Sequence, residues 1–260
     1  MEIIKPKEMP AVEIDGNTNL ERALKILEAL AKDPYELSPH ELLTKLKIPR
    51  TSLWRILKIL TNQDYVIYDK NKRTIRLGFK FMYMGGALLS SSSFKSKNRE
   101  LLMKLAEQTG ETTEIDMRVR TQLVIVEQVP GRNAVFSYSY PGSVMPYFHA
   151  TAPGKVYLSE IENTKLQRII KKIGLPKLTK YTIQEFSVLK AELEKVKENG
   201  FAIDIEEMRE GIARIAAPIY DKSKKIIASV AIVCFPFRIE DSSIRLEYIR
   251  QLKEIASQMS

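Results

Sequence analysis

The spacing of apolar positions changes twice in the first eighty residues, and each change marks an element. Leu20, Ala23, Leu24, Leu27, Leu30 and Ala31 recur at steps of three and four, the repeat of one helix face. That helix starts near Asn19 with Thr18 or Asn17 as its cap, and Asp33-Pro34 stops it. A second helix begins at Ser38. Ser38 is a capping residue, Pro39 suits the first helical position, and Glu41 stands three residues on, as a capping box requires. Leu42, Leu43 and Leu46 form its apolar face, and Ile48-Pro49 make a tight turn.

In the third helix Leu53, Ile56, Leu57 and Leu60 form the core stripe, while Arg50, Thr51, Ser52, Arg55 and Lys58 take the other side. Two short helices joined this way are the pattern of a helix-turn-helix whose second helix enters the major groove of DNA. Trp54, the only tryptophan, sits one residue out of phase with the stripe. One residue is roughly 100° of helix, which puts the ring at the border of the exposed face, with core and groove both open to it.

After Asp64 the period shortens to two. Tyr65–Tyr68 and Thr74–Leu77 flank the polar turn Asp69–Arg73, which predicts two short strands around a basic tip. A hairpin behind a helix-turn-helix is a wing, and Lys72 and Arg73 at its tip suit a phosphate or minor-groove contact.

The chain divides into a tail (1–16), a winged helix-turn-helix (17–78), a linker helix (79–93) and a second domain (94–260). Gly85-Gly86 and the serine run at 90–93 weaken the linker helix, with a break expected there. In the second domain helices are predicted to end near Thr109 and to cover about 152–160, 163–173, 183–199 and 241–257. Strands are expected at 112–119, 122–128, 134–139, 201–205, 212–220 and 225–234. This is an α+β chain whose second part is a mixed α/β layout of helices around a sheet.

Charge sharpens this picture. Between Lys45 and Lys80 ten basic residues face two acids, an excess of eight in a chain whose net charge is +9. The remainder is close to neutral. Basic charge gathered on one element is the footprint of a phosphate-binding surface. No apolar run approaches the roughly 18 residues of a membrane span, so no membrane contact is expected. Glu2, Lys5, Lys7 and Glu8 interrupt any signal-peptide core. The single Cys234 fits a reducing compartment, and a cytoplasmic location is the default.

Catalytic and metal patterns are lacking. His40, His149 and Cys234 have no zinc spacing. Ala152-Pro153-Gly154-Lys155 lacks the spacing of a P-loop, and no nucleophile elbow occurs. His40 reads as a solvated residue and His149 as a structural hydrogen-bonding or pocket-lining one. Glu206-Glu207 reads as a solvated or ion-paired turn rather than an acid/base pair. No cofactor, no metal and no enzyme activity are expected.

With these elements placed, the chain resembles the IclR family of transcriptional regulators from Asn19 onward. The N-terminal resemblance rests on Leu20–Leu27, Leu37–Leu43, Ile48–Leu57, Tyr65-Val66 and Arg76–Gly78. The C-terminal part rests on Thr109–Thr112, His149–Lys155, Gly200–Glu207 and Gly211–Pro218. The resemblance implies a winged helix-turn-helix followed by a GAF-like effector-binding domain. It also implies homodimers or homotetramers on a pseudo-palindromic double-stranded DNA operator. The DNA-binding residues expected are Ser38, Arg50, Thr51, Ser52, Trp54, Arg55, Lys58, Lys72 and Arg73.

Some family members bind small carboxylates through a Gly, an Asp, a Cys and two Ser. The matching positions here are Gly154, Asp204, Arg214, Ala231 and Val233. The Cys has become Arg214 and both Ser have become apolar, so the same small acids are not expected. The family also often carries His where this chain has Trp54. Arg214 either grips an anionic effector, a carboxylate or phosphate, or pairs with Asp204 as a structural bridge, the latter being favoured. The function expected is a DNA-binding regulator tuned by a small-molecule effector, with a repressor favoured over an activator and the effector left open, an anion among the candidates. The alternative is a small-molecule-binding or enzymatic protein that uses its winged helix for protein contact.

Overall fold

The computed structural model describes residues 18–32, 35–91, 93–119, 122–133 and 139–259. The expected tail and the expected strand at 134–139, apart from its last residue, lie outside them. The described chain forms two compact units that meet in sequence at Ser92.

The first unit opens with α1 (Asn19–Leu30), capped by Thr18. The Thr18 hydroxyl accepts from the Glu21 amide at 3.3 Å and the Thr18 amide donates to the Glu21 carboxylate at 3.0 Å. Its buried residues are Ile26, Ala29 and Leu30. This corrects the expected stripe, because Leu20 and Leu24 are 71% and 51% exposed. The helix is turned so that its C-terminal half carries the core contact.

β1 (Glu36–Leu37) follows, then α2 (Pro39–Leu46) with the expected capping box of Ser38 and Glu41. Lys47 ends α2 in the left-handed region, at φ 52°, and Ile48 plugs the core. α3 (Arg50–Asn62) buries Leu53, Ile56, Leu57 and Leu60, the four residues of its sequence stripe. β2 (Val66–Asp69) and β3 (Thr74–Leu77) form the wing hairpin, in the register Val66–Leu77 and Asp69–Thr74. The two-residue β1, which periodicity did not predict, pairs with β3, so the sheet order is β1-β3-β2. Gly78 is fixed by space: a Cβ there would lie 2.0 Å from the Asp64 carbonyl oxygen. α4 (Lys80–Ser91) ends the unit.

The second unit is a six-stranded sheet flanked by helices. α5 (Ser93–Thr109) leads into β4 (Thr112–Val119) and β5 (Gln122–Val129). β6 (Val144–Met145) and a single 3-10 turn at Phe148–Ala150 precede α6 (Ala152–Ser159). α7 (Asn163–Ile173) and α8 (Phe186–Asn199) come next. β7 (Ala202–Ile205), β8 (Ala213–Tyr220), β9 (Ile226–Cys234) and α9 (Ser242–Gln258) complete the unit. The strand order is β6-β5-β4-β9-β8-β7, and all the pairings are antiparallel among the described residues.

Alternation along the central strands gives the sheet two unlike faces. Ile115, Ile215, Ala217, Val230 and Ile232 point to one side, where α5 and α9 cover them with Leu102, Leu105, Leu252 and Ile255. The other side carries Ala202, Ala216 and Ala231 beneath Ala152 and Val156 of α6 and Val196 of α8. The same alternation places charged residues on that second side.

Candidate nucleic-acid interface and buried ligand site

The first unit concentrates its charge outward. All ten basic residues between Lys45 and Lys80 are exposed. Arg50, Thr51, Trp54, Arg55 and Lys58 are exposed along α3. Pro49 gives this helix no side-chain cap, so the amides of its first turn have no local side-chain acceptor. A helix N-terminus with free amides favours a phosphate.

Two of the nine expected DNA-binding residues have their hydroxyls engaged elsewhere. Ser38 bonds Glu41 in the capping box, at 2.7 Å from hydroxyl to carboxylate. Ser52 is half-buried and accepts from Arg22 Nη1 on α1 at 3.1 Å. At the wing tip Asp69 accepts from the amides of Asn71 and Lys72 at 2.9 and 3.0 Å, which folds the turn. Those bonds, the Lys72 amide first, lower the Asp69 carboxyl below its ordinary value. Arg73 takes the left-handed conformation at φ 56°. Lys72 lies 3.6 Å from Glu36 of β1, so part of its charge is answered within the unit. The Trp54 ring stays 42% exposed while its edge meets Tyr68 of the wing.

In the second unit the five expected effector residues gather at the α6 side of the sheet. Asp204 pairs with Arg214 across β7 and β8, and Arg214 with Val233 across β8 and β9. Ala231 stands one pleat further along, beside Ala216. Gly154 lies in the first turn of α6, where a Cβ would come 2.2 Å from the Phe148 carbonyl oxygen. Its role here is close packing of α6 against the 3-10 turn.

Arg214 reaches two acids of this cluster, Glu114 more closely than the expected Asp204. Its Nε donates to Glu114 Oε1 of β4 at 3.2 Å, whereas its Nη1 stands 4.0 Å from Asp204 Oδ1. The principal bridge is therefore to Glu114, a residue the sequence reading did not single out. Glu114 also accepts from Gln128 Nε2 at 3.2 Å. Asp204 Oδ2 accepts from the Ala152 amide at 2.8 Å and so anchors the N-terminus of α6. Burial raises the Asp204 carboxyl above its ordinary value, against the pull of Arg214.

Asp116, two residues beyond Glu114, is wholly buried on the same face. Burial first, then the charge of Glu114, pushes its carboxyl well above the usual carboxylate range, with Arg214 opposing. Alternation alone puts acids at 114 and 116 on one side of a strand, which is the signal that finds them. Beside this cluster Lys155 is 1% exposed. Its Nζ bonds Glu207 at 2.5 Å and the Ile203 carbonyl at 3.0 Å, with Glu192 at 3.7 Å. Burial pushes Glu207 up to about 7.

His149 is buried and its Nε2 lies 3.2 Å from the Pro176 carbonyl, a structural contact. Burial lowers its pKa. No three or more His, Cys, Asp or Glu side chains among the described residues group as metal ligands. A surface hollow of about 480 Å³ lined by Met103, Ala106, Val129 and Arg132 lies on the α5 side, away from the five expected residues.

Comparison with known proteins decides what these two sites belong to. Residues 19–70 match the IclR helix-turn-helix domain, and residues 86–260 match the bacterial transcriptional regulator IclR C-terminal domain. The chain belongs to the IclR family of transcriptional regulators. It is 26% identical over 226 residues to the HTH-type transcriptional regulator XynR of Escherichia coli K12, covering 87% of this chain and 89% of XynR. It is 28% identical over 228 residues to the HTH-type transcriptional repressor AllR of the same strain, covering 88% of this chain and 84% of AllR. The crystal structure of an IclR-type regulator from Alicyclobacillus acidocaldarius superposes with a TM-score of 0.81 at 22% identity, covering 93% of this chain and 97% of that one.

Membership of the IclR family establishes a transcriptional regulator with a DNA-binding helix-turn-helix and a C-terminal effector domain, α+β overall. The alternative of an enzyme using a winged helix for protein contact is not favoured. No helix among the described residues is long and apolar enough to cross a membrane.

Proposed function

We propose that this chain is a repressor that holds a double-stranded operator as a homo-oligomer and releases it when a small molecule enters the α6 side of the effector domain. The observation that carries the DNA half is the outward display of all ten basic residues from Lys45 to Lys80. Arg50, Thr51, Trp54, Arg55 and Lys58 on α3 read or anchor the major groove. The open amides at the start of α3 take a backbone phosphate, and Arg73 and Lys72 at the wing tip add phosphate charge.

An oligomer is supported by exposed apolar side chains in the first unit. Leu20 and Leu24 on α1 and Met82 and Tyr83 on α4 are each more than half exposed. A second copy with its half-site about one helical turn away is the arrangement such dimers use. Effector control then follows from differential affinity: a ligand preferred by the DNA-free state lowers operator occupancy.

The test is fluorescence anisotropy of labelled DNA from upstream of the gene, titrated with the full chain at several salt concentrations. Tight binding with a steep salt dependence supports the proposal. Affinity that ignores salt, or is equal for unrelated DNA of the same length, overturns it.

A further inference from the structure

Unsatisfied polar atoms are concentrated on the sheet face beneath α6. Both carboxylate oxygens of Asp116, the hydroxyls of Ser229 and Thr112, and Nη1 of Arg214 have no hydrogen-bond partner. Each of these residues is at most 3% exposed. Buried polar groups are ordinarily hydrogen-bonded, so such a set marks a place where partners are missing. Asp116 pairs directly with Ser229 across β4 and β9, which puts a carboxylate and a hydroxyl side by side on one face.

The neighbouring charges decide the sign of the missing partner. Glu114 is satisfied by Arg214 and Gln128. Asp204 uses one oxygen on the Ala152 amide, and the other has no hydrogen bond and stands 4.0 Å from Arg214 Nη1. Three acids, Glu114, Asp116 and Asp204, thus face one buried guanidinium, and the nearby buried ammonium of Lys155 is already held by Glu207. A carboxylate ligand would add a fourth acid to this face. An ammonium group brings donors for Asp116 and Ser229 together with the positive charge the cluster lacks.

Resting on the effector-site reading above, we infer that this buried face binds a small amine. Its ammonium group sits on Asp116 and Ser229, and an oxygen acceptor on the same ligand meets Nη1 of Arg214. This replaces the anionic effector that Arg214 alone suggested. Without the amine, burial and the charges of Glu114 and Asp204 disfavour the Asp116 anion and raise its carboxyl well above the usual carboxylate range. The groups facing it are Glu114 on β4, Arg214 on β8, Asp204 on β7 and Tyr157 on α6. An ammonium partner favours the Asp116 anion, so amine binding displaces proton from this carboxyl and affinity rises with pH.

The experiment is calorimetry and thermal melting of the full chain with four probes: ethanolamine, putrescine, pyruvate and glycerol. Ethanolamine is expected to raise the melting temperature and to release a proton, seen as a heat that depends on the buffer's ionisation enthalpy. Pyruvate and glycerol are expected to leave the protein unchanged. Asp116→Asn, checked for folding by circular dichroism, is expected to weaken amine binding at least tenfold, and Ser229→Ala several-fold. Binding of pyruvate instead, equal amine binding by Asp116→Asn, or no response to either amine overturns the inference. Amine binding that leaves operator affinity untouched upholds the inference and rejects the effector role proposed for the site.

Discussion

Trp54 of α3 stands edge-on to Tyr68 of β2, with ring centroids 6.2 Å apart and planes at 87°. The contact fastens α3 to the wing, so one ring serves both packing and the exposed surface. Edge-to-face pairs contribute about 0.5–1.5 kcal/mol beyond their area. Trp54→Ala is therefore expected to lower stability by about 1 kcal/mol, and Trp54→Phe by less, in urea denaturation. As the only tryptophan, half open to solvent, its emission is expected to change when operator DNA is added. Unchanged emission at saturating DNA would place Trp54 outside the interface.

Arg55 and Lys72 are expected to behave differently although both are exposed cations. Among the described residues Arg55 forms no ion pair, whereas Lys72 stands 3.6 Å from Glu36. A base-reading arginine contributes about 1–3 kcal/mol of discrimination, and a phosphate contact changes the salt slope by about one. Arg55→Ala should weaken operator binding tenfold or more, while Lys72→Ala should cost less and mainly flatten the salt dependence. Equal affinities for Arg55→Ala and the unaltered protein across a salt series would remove Arg55 from the interface.

Ser38→Ala separates a capping role for this residue from a DNA contact. Its hydroxyl is used in the capping box of α2. Loss of such a cap costs about 1 kcal/mol. Thermal melting should show the loss, and operator affinity measured well below the transition should stay unchanged. A variant that melts normally but binds DNA poorly would assign Ser38 to the DNA contact.

The first unit was largely legible because its apolar residues keep one period for three or four turns. Leu53, Ile56, Leu57 and Leu60 are buried as spaced. The face of α1 was misread because Leu20 and Leu24 continue the period beyond the end of the core that covers it. β1 is two residues long and exists by pairing with β3, so no local pattern announces it. α8 starts three residues later than expected, since Thr182 Oγ1 takes the amides of Leu178 and Thr179 and holds that stretch as a turn. At the effector site the residue matches came from family likeness, and the register brought them together. The Glu114–Arg214 bridge spans 100 residues of sequence, and only the register of β4, β9 and β8 brings its ends together.

Gly154 separates a ligand-contact role from a packing one. A Cβ would lie 2.2 Å from the Phe148 carbonyl oxygen and 2.5 Å from its Cα, both backbone atoms that cannot swing aside. Overpacking of this kind costs about 1–3 kcal/mol. Gly154→Ala should lower the melting temperature without any ligand present. If stability is unchanged, the close approach is not a constraint and the glycine belongs to the ligand.

Glu207 gives the molecule a pH dependence with a definite sign. Burial raises its carboxyl from an ordinary 4.5 to about 7 in the fold, against the attraction of Lys155. Between those values the folded state binds more proton than the unfolded one. Its contribution to stability is therefore greatest below about pH 4.5 and declines as pH rises towards 7, then levels off. Glu207→Gln should remove that decline, so the denaturation midpoints of variant and parent should differ in slope between pH 5 and 7. Glu207→Ala should be far worse, because it leaves the Lys155 ammonium buried with Glu192 3.7 Å away as its remaining acid. Breaking a buried pair in this way costs about 3–5 kcal/mol. Parallel pH profiles for Glu207→Gln and the parent would show that the proton resides on another group of the cluster.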